Sequence, residues 1–293
     1  MKFKGCGTAL VTPFTRDGAV DYGVLRRLVR RQIDAGVHFL VPCGTTGESP
    51  TLERDEHLQV VKTTIEEAGG KVPVLAGAGG YNTKEVVAMA RELESLGADG
   101  ILSVTPYYNK PTQEGLYQHY KTIADAIQIP IVLYSVQGRT GVNIEPATIR
   151  RLAGIPNIVG VKEASGNIAQ IANICATVPE DFAVVSGDDS ITLALAGLGG
   201  HGIISVAGNE IPAEMAALAQ ACLDGDFPKA RAIQKKWLPL MEVNFVESNP
   251  MPVKHAMARM GLLEPVWRQP MIAPSEAAQQ RIDAVLKSLG LTA

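Results

Sequence analysis

Eight short apolar runs, separated by amphipathic stretches, constrain this chain more than any other feature. They lie at residues 7–11, 37–42, 72–76, 100–105, 129–134, 158–162, 182–186 and 202–206. Each is too short for a buried helix, and β-branched residues are common in them, so each reads as a strand buried on both faces. Helical periodicity fills intervals at 22–35, 54–68, 83–96 and 114–126. Gly36 and Gly97 follow two of these and fit helix C-caps, while Asn82 and Thr112 sit where N-caps belong. Repeated β–α alternation calls for a parallel sheet, and eight strands close a (β/α)8 TIM barrel. An open doubly wound sheet shares the alternation. The even spacing and the absence of a G-x-G-x-x-G fingerprint in the glycine-rich segments 77–80 and 197–200 favour the barrel.

Beyond residue 206 the pattern becomes helical, with apolar periodicity over 227–246, 252–261 and 275–289. Pro250, Pro252, Pro265 and Pro270 fall between these segments or at their starts, where proline is tolerated. The expected organisation is a catalytic barrel over residues 1–225 and a C-terminal helical extension over 226–293 that packs on it in a structural role. A length of 293 residues with 46% hydrophobic content supports one large core. A net charge of −3 without a basic run argues against nucleic acid and anionic membrane surfaces as partners. No apolar stretch is long enough to span a bilayer, and no signal-peptide core follows the N-terminus. Cys6, Cys43, Cys175 and Cys222 are scattered without a C-x-x-C spacing, which fits reduced thiols in the cytoplasm. The five histidines form no metal-ligand spacing, so no metal is expected.

In a barrel the chemistry gathers at the C-terminal ends of the strands. The sixth run ends in Lys162. Such a lysine either snorkels to water or sits in a pocket, where burial disfavours the ammonium and leaves a neutral amine that attacks carbonyls. The fifth run ends in Tyr134, a proton donor and acceptor for imine chemistry, and Arg139 follows as a fixed cation able to grip a carboxylate. Gly44-Thr45-Thr46-Gly47-Glu48-Ser49 follows the second run, and its hydroxyls and backbone N–H groups suit an oxyanion. Tyr107 and Tyr108 sit between prolines after the fourth run, suited either to proton transfer or to an interface. Asp188 and Asp189 after the seventh run read as caps of the following helix rather than as cation ligands.

These segments, together with Gly160-Val161-Lys162-Glu163-Ala164, Gly138-Arg139-Thr140-Gly141, Gly200-His201-Gly202 and Asn249-Pro250, make the chain resemble the dihydrodipicolinate synthase family of pyruvate-dependent class I aldolases, nearly end to end. The resemblance implies a homotetramer that needs no cofactor and no metal. Its activity would be 4-hydroxy-tetrahydrodipicolinate synthesis from pyruvate and aspartate 4-semialdehyde. Lys162 would form the Schiff base, and Tyr134, Thr45 and Tyr108 would form a proton relay, with Tyr108 supplied by a neighbouring subunit. Thr46 would meet the pyruvate carboxylate, Arg139 the carboxylate of the semialdehyde, and Gly187 and Ile204 would add backbone contacts. Ser49, His57, Tyr81, Glu85 and Tyr107 would line an effector site for lysine. Where this family usually has Asn-Val-Pro after the strand-end tyrosine, the chain has Ser135-Val136-Gln137. Ala207 and Gly208 replace Thr and Ala, and Arg54 and Tyr81 replace a His and an Asn of lysine-sensitive members, so the alternative is an unregulated enzyme in which Arg54 and Tyr81 are surface and interface residues. The changes at 135, 137, 207 and 208 are expected at the barrel mouth, where they would alter preference for the second substrate. Sibling enzymes such as N-acetylneuraminate lyase or a ketodeoxy sugar acid aldolase, and a non-catalytic barrel, are the alternatives. The retained Arg139 argues for the synthase.

Overall fold

The computed structural model describes residues 2–293. Eight parallel strands form one sheet in the order β2-β1-β8-β7-β6-β5-β4-β3. They are β1 (Gly5–Ala9), β2 (Phe39–Val41), β3 (Leu75–Gly77), β4 (Gly100–Val104), β5 (Ile131–Ser135), β6 (Ile158–Glu163), β7 (Ala183–Ser186) and β8 (Gly202–Ser205). The ring is completed between β2 and β3 by a parallel bridge, Leu40 to Val74, with Leu40 N donating to Pro73 O at 2.9 Å and Gly77 N to Pro42 O at 2.9 Å. The expected TIM barrel is therefore what the chain forms.

Helices α1 (Tyr22–Asp34), α2 (Arg54–Ala68), α3 (Thr83–Ser95), α4 (Gln113–Ala126), α5 (Gln137–Thr140), α6 (Pro146–Leu152), α7 (Ile168–Thr177), α8 (Thr192–Gly197) and α9 (Pro212–Leu223) occupy the connections and the chain after β8. Their ends follow local chemistry. Asn82 and Thr112 accept from Lys84 N and Gly115 N, which satisfies N–H groups left free at a helix start. Gly36 and Gly97 take positive φ of 80° and 89° just past α1 and α3, as the expected C-caps require. Helices α10 (Phe227–Val243), α11 (Met251–Arg259) and α12 (Glu276–Ser288) end the chain, with α10 packed on α9 and α12 and α11 packed on α12.

Several boundaries differ from the sequence expectation. The first strand begins at Gly5 rather than at residue 7, and it ends at Ala9 because the Val11 N–H turns to Asn209 Oδ1 at 3.1 Å. The third begins after Pro73, which has no N–H to donate to the ladder. Helix α10 stops at Val243, not 246, where buried Asn244 donates its amide to Glu210 Oε2 at 2.6 Å.

Alternation along the strands divides the core in two. Leu40, Ile101, Leu133, Val161 and Val184 face the helices. Phe3, Phe39, Val41, Leu75, Leu102, Val132, Tyr134, Val185 and Ile204 fill the barrel interior. At its base Phe3 and Phe39 meet edge to face at 5.6 Å. Gly7 makes room for this floor, since a Cβ there would lie 2.1 Å from the Phe39 ring. Gly7→Ala is expected to overpack the floor and cost about 1–3 kcal/mol, read as a lower denaturant midpoint with an unchanged m-value. An unaltered midpoint would show that the ring moves aside freely.

Candidate active site

The strand-end residues of β5 and β6 face each other across the ladder, Tyr134 paired with Lys162. Both side chains point inward, because Val132 and Tyr134 share one parity of β5 and Gly160 and Lys162 share the matching parity of β6. Lys162 is 5% exposed and its Nζ lies 4.3 Å from the centre of the Tyr134 ring. None of the ion pairs among the described residues involves Lys162. Its stem runs past Gly187, where a Cβ would come within 3.1 Å of Lys162 Cε. Glycine at the end of β7 thus leaves the space the lysine occupies. Ile204 is fully buried beside them in the barrel interior. The result is an amine in an apolar wall, unclaimed by a carboxylate, with a phenol on the adjacent strand.

The loop after β2 brings Thr45 to the same mouth and holds Thr46 buried beside it. It turns through Gly47 N to Gly44 O and Glu48 N to Thr45 O, both 3.1 Å, and holds Glu48 at φ 52°. A left-handed glutamate is unfavourable by itself. Here its carboxylate fixes it: Oε1 accepts from Lys254 Nζ at 2.5 Å and Oε2 from Arg268 N at 3.2 Å. The side chains of Glu48 and Lys254 are 1% and 0% exposed. Burial pushes the Lys254 ammonium toward the neutral form, and the charge of Glu48 opposes it. Phe14 lies 4.2 Å from Lys254 Nζ and 4.5 Å from Arg268 Cζ, adding cation–π attraction.

Asn249 joins two of the expected binding residues. Its Nδ2 donates to Thr46 Oγ1 at 2.9 Å, and its carbonyl accepts from Arg139 Nη2 at 3.3 Å. Arg139 itself stands exposed on the single turn α5 at the rim. The C-terminal segment therefore does more than pack, because Lys254 on α11 and Asn249 and Arg268 in the flanking loops hold Glu48, Thr46 and Arg139. Nothing local in the sequence marked Lys254, which looks like any lysine on a helix.

A cavity of about 470 Å³ opens at this mouth. Thr45, Ser49, His57, Glu85, Tyr107, Tyr134 and Arg139 are among its lining residues, whereas Lys162, Thr46, Gly187 and Ile204 are not. Burial lowers the pKa of His57, whose Nε2 lies 2.9 Å from Gly77 O. Tyr107 meets Tyr81 edge to face at 5.2 Å, and burial raises its hydroxyl pKa. Arg54 is held by Glu92 at 2.6 Å. Tyr108 is not gathered into the site of its own chain: it is 92% exposed, at φ 69° on the loop after β4.

The substitutions expected at the mouth mostly lie elsewhere. Ser135 is fully buried and its hydroxyl accepts from Ile144 N at 3.1 Å, on the face of β5 opposite to Tyr134. Ala207 is fully buried, and a Cβ on Gly208 would meet Thr8 Oγ1 at 2.6 Å. Ala207 and Gly208 answer to packing, and Ser135 to hydrogen bonds behind the sheet. Of the paired aspartates, Asp188 is the cap, accepting from Ser190 N at 2.9 Å, as read from the sequence. Asp189 instead binds the chain after β8, accepting from Ser205 Oγ at 2.5 Å and from Val206 N and Ala207 N at 3.0 Å.

A broader depression of about 640 Å³ lies between α1 and the start of α9. Its Arg31 is committed to the carbonyls of Asn209 and Glu210 at 2.9 and 2.5 Å, and it brings no nucleophile to its surface. Among the described residues no cluster of three or more His, Cys, Asp or Glu is placed to hold a metal ion, and the four cysteines are free. No helix among them is long and apolar enough to cross a membrane.

Lys254→Met would leave Glu48 buried without its counter-charge, and a loss of about 3–5 kcal/mol is expected. Chemical denaturation checks this, and Glu48→Gln combined with Lys254→Met should recover part of the loss. Equal stability of the single variant and the unaltered protein would remove the pair from its structural role.

Comparisons with known proteins agree with this geometry. The model of the Dihydrodipicolinate synthetase family matches residues 2–289. A 4-hydroxy-tetrahydrodipicolinate synthase of Koribacter versatilis is 51% identical over 292 residues, covering 99% of this chain and 97% of the relative. The dihydrodipicolinate synthase of Aquifex aeolicus superposes with a TM-score of 0.97 at 43% identity, over 99% of both chains. That of Acinetobacter baumannii, solved in complex with pyruvate, superposes with a TM-score of 0.97 at 42% identity, over 98% of this chain and 99% of the other. With its eight-stranded barrel and buried strand-end lysine, the chain belongs to the dihydrodipicolinate synthetase family.

Proposed function

We propose that this protein is a lyase that condenses pyruvate with L-aspartate 4-semialdehyde to give 4-hydroxy-tetrahydrodipicolinate, on the route to diaminopimelate and lysine. One observation carries the reading: Lys162 is buried at the strand end with no carboxylate partner among the described residues, its Nζ 4.3 Å from the Tyr134 ring centre. An amine so placed attacks the pyruvate carbonyl, and loss of water gives an iminium. The iminium accepts the electron pair of the methyl C–H bond as a proton leaves, forming an enamine. The enamine carbon bonds to the aldehyde carbon, and its oxygen takes up a proton. The amine of the second substrate then adds to the iminium carbon, and Lys162 departs.

The proton steps need groups that bear no fixed charge beside the iminium. Tyr134 and Thr45 meet that need from this chain, and the partner subunit's Tyr108 completes the relay. The 92% exposure of Tyr108 supports a role in another subunit of a homotetramer. Thr46 receives the pyruvate carboxylate, with Gly187 and Ile204 bounding the site. Arg139 at the rim grips the carboxylate of the semialdehyde. Ser49, His57, Glu85 and Tyr107, which share the cavity, serve with Tyr81 against Tyr107 as the effector subsite for an amino acid. The free cysteines fit a cytoplasmic setting.

Incubation with pyruvate and borohydride should leave a reduced adduct on Lys162, found by peptide mass spectrometry and absent from Lys162→Ala. Failure of the unaltered protein to form it would overturn the mechanism. A coupled assay should show turnover of the semialdehyde. Turnover of N-acetylneuraminate or a ketodeoxy sugar acid instead would favour the sibling lyases. Arg139→Ala should raise KM for the semialdehyde by about 10–100-fold, as loss of a charge-assisted carboxylate contact implies, and leave KM for pyruvate nearly unchanged. Equal effects on both would contradict the assignment.

A further inference from the structure

The ladder that brings Tyr134 beside Lys162 is irregular. Strands β5 and β6 are in step from Val132–Gly160 to Ser135–Glu163, but the pairing shifts between Ile131 and Val132. A shift of one residue inverts the face that each side chain takes. Were it displaced to the mouth, Lys162 would turn toward the helices and Glu163 would enter the barrel. At the strand ends the backbone bond from Ala164 N to Ser135 O, 2.9 Å, holds the pairing, and side chains bridging the same two strands would reinforce it.

The paired residues Ser135 and Glu163 lie behind the mouth, both fully buried. Glu163 Oε1 accepts from Gln170 Nε2 at 2.8 Å, and Oε2 accepts from Ser165 N at 3.2 Å. Gln170 and Asn143 exchange amide hydrogen bonds, Asn143 Nδ2 to Gln170 Oε1 at 2.8 Å and Gln170 Nε2 to Asn143 Oδ1 at 3.1 Å. Ser135 Oγ donates to Asn143 Oδ1 at 3.4 Å. The chain of contacts thus runs from β5, through the segment before α6, to α7 and back to β6. No lysine or arginine pairs with Glu163 among the described residues. Fully buried and without a cation, the Glu163 side chain depends on neutral donors held in one arrangement.

We infer that Ser135, Asn143, Gln170 and Glu163 form a polar pin that holds β5 and β6 in the register presenting Tyr134 and Lys162 to one mouth. They are positioning residues: they act on the reaction through Tyr134 and Lys162. The inference rests on the Schiff-base reading of Lys162. It also gives the serine at position 135 a task, since its hydroxyl donates to Asn143 Oδ1 and accepts from Ile144 N.

A double-mutant cycle tests it. Gln170→Leu should lower kcat by about tenfold in an otherwise unaltered chain and by less than about threefold in a Tyr134→Phe background, because residues that act through one another are not additive. The KM for pyruvate should stay within about twofold, since the pin acts on the alignment of Tyr134 and not on ground-state binding. The rate of borohydride-trapped adduct formation should fall in parallel with kcat. Where Gln170→Leu does not fold, Ser135→Ala carries the same cycle. Equal fold-losses in the two backgrounds, or a lower melting temperature with kcat unchanged, would overturn the inference. Absence of an adduct in the unaltered protein would overturn both the Schiff-base reading and the pin. An adduct there combined with equal losses in the cycle would overturn the pin alone.

Discussion

The buried contact between Glu48 and Lys254 ties the loop after β2 to helix α11 beside the mouth of the barrel. Two charges removed from water cost several kcal/mol each, and their attraction rarely returns more than that. Such a pair is therefore a poor source of stability but a strict selector of geometry. Glu48 sits in a left-handed backbone conformation, and a salt bridge, a backbone N–H from Arg268 and the Phe14 ring all depend on its staying there. Release of the pair would free the turn that carries Thr45 and Thr46. Asn249 strengthens the same junction by holding Thr46 with its side chain and Arg139 with its carbonyl.

Around this junction the mouth is built in two layers. The inner layer is apolar, with Val132, Tyr134, Val185 and Ile204 walling Lys162, and Gly187 leaving the volume its stem fills. The outer layer behind β5 and β6 is polar, with buried amides and a carboxylate satisfying one another. The separation matters for reactivity. A carboxylate in the inner layer would pair with the amine and blunt its attack on a carbonyl, whereas one strand position away it is turned to the opposite face.

The barrel was legible because a parallel strand covered on both faces has to be apolar throughout, and eight such runs leave few alternatives. Helix ends were legible where a side chain or a glycine acts locally, as at Asn82, Thr112, Gly36 and Gly97. Boundaries slipped where a distant group intervened: Asn209 takes the Val11 N–H, and Glu210 takes the Asn244 amide where α10 ends. The site was legible as a set of strand-end residues. The setting of Ser135 was not, since the groups its hydroxyl bonds, Asn143 and Ile144 N, lie beyond the strand. Asp189 looked like half of a capping pair, yet its partners follow β8.

The sequence by itself determined the fold class, the order of strands and helices, and the placing of Lys162 and Tyr134 at neighbouring strand ends. Those properties follow from local periodicity and from the count of alternations. Only the tertiary structure decided that Lys162 goes unpaired, that Lys254 is the lysine committed to a carboxylate, and that Tyr108 faces away from its own barrel. The reason is physical. A lysine's chemistry depends on which charges and how much solvent reach its nitrogen, and those are set by residues far away in the chain.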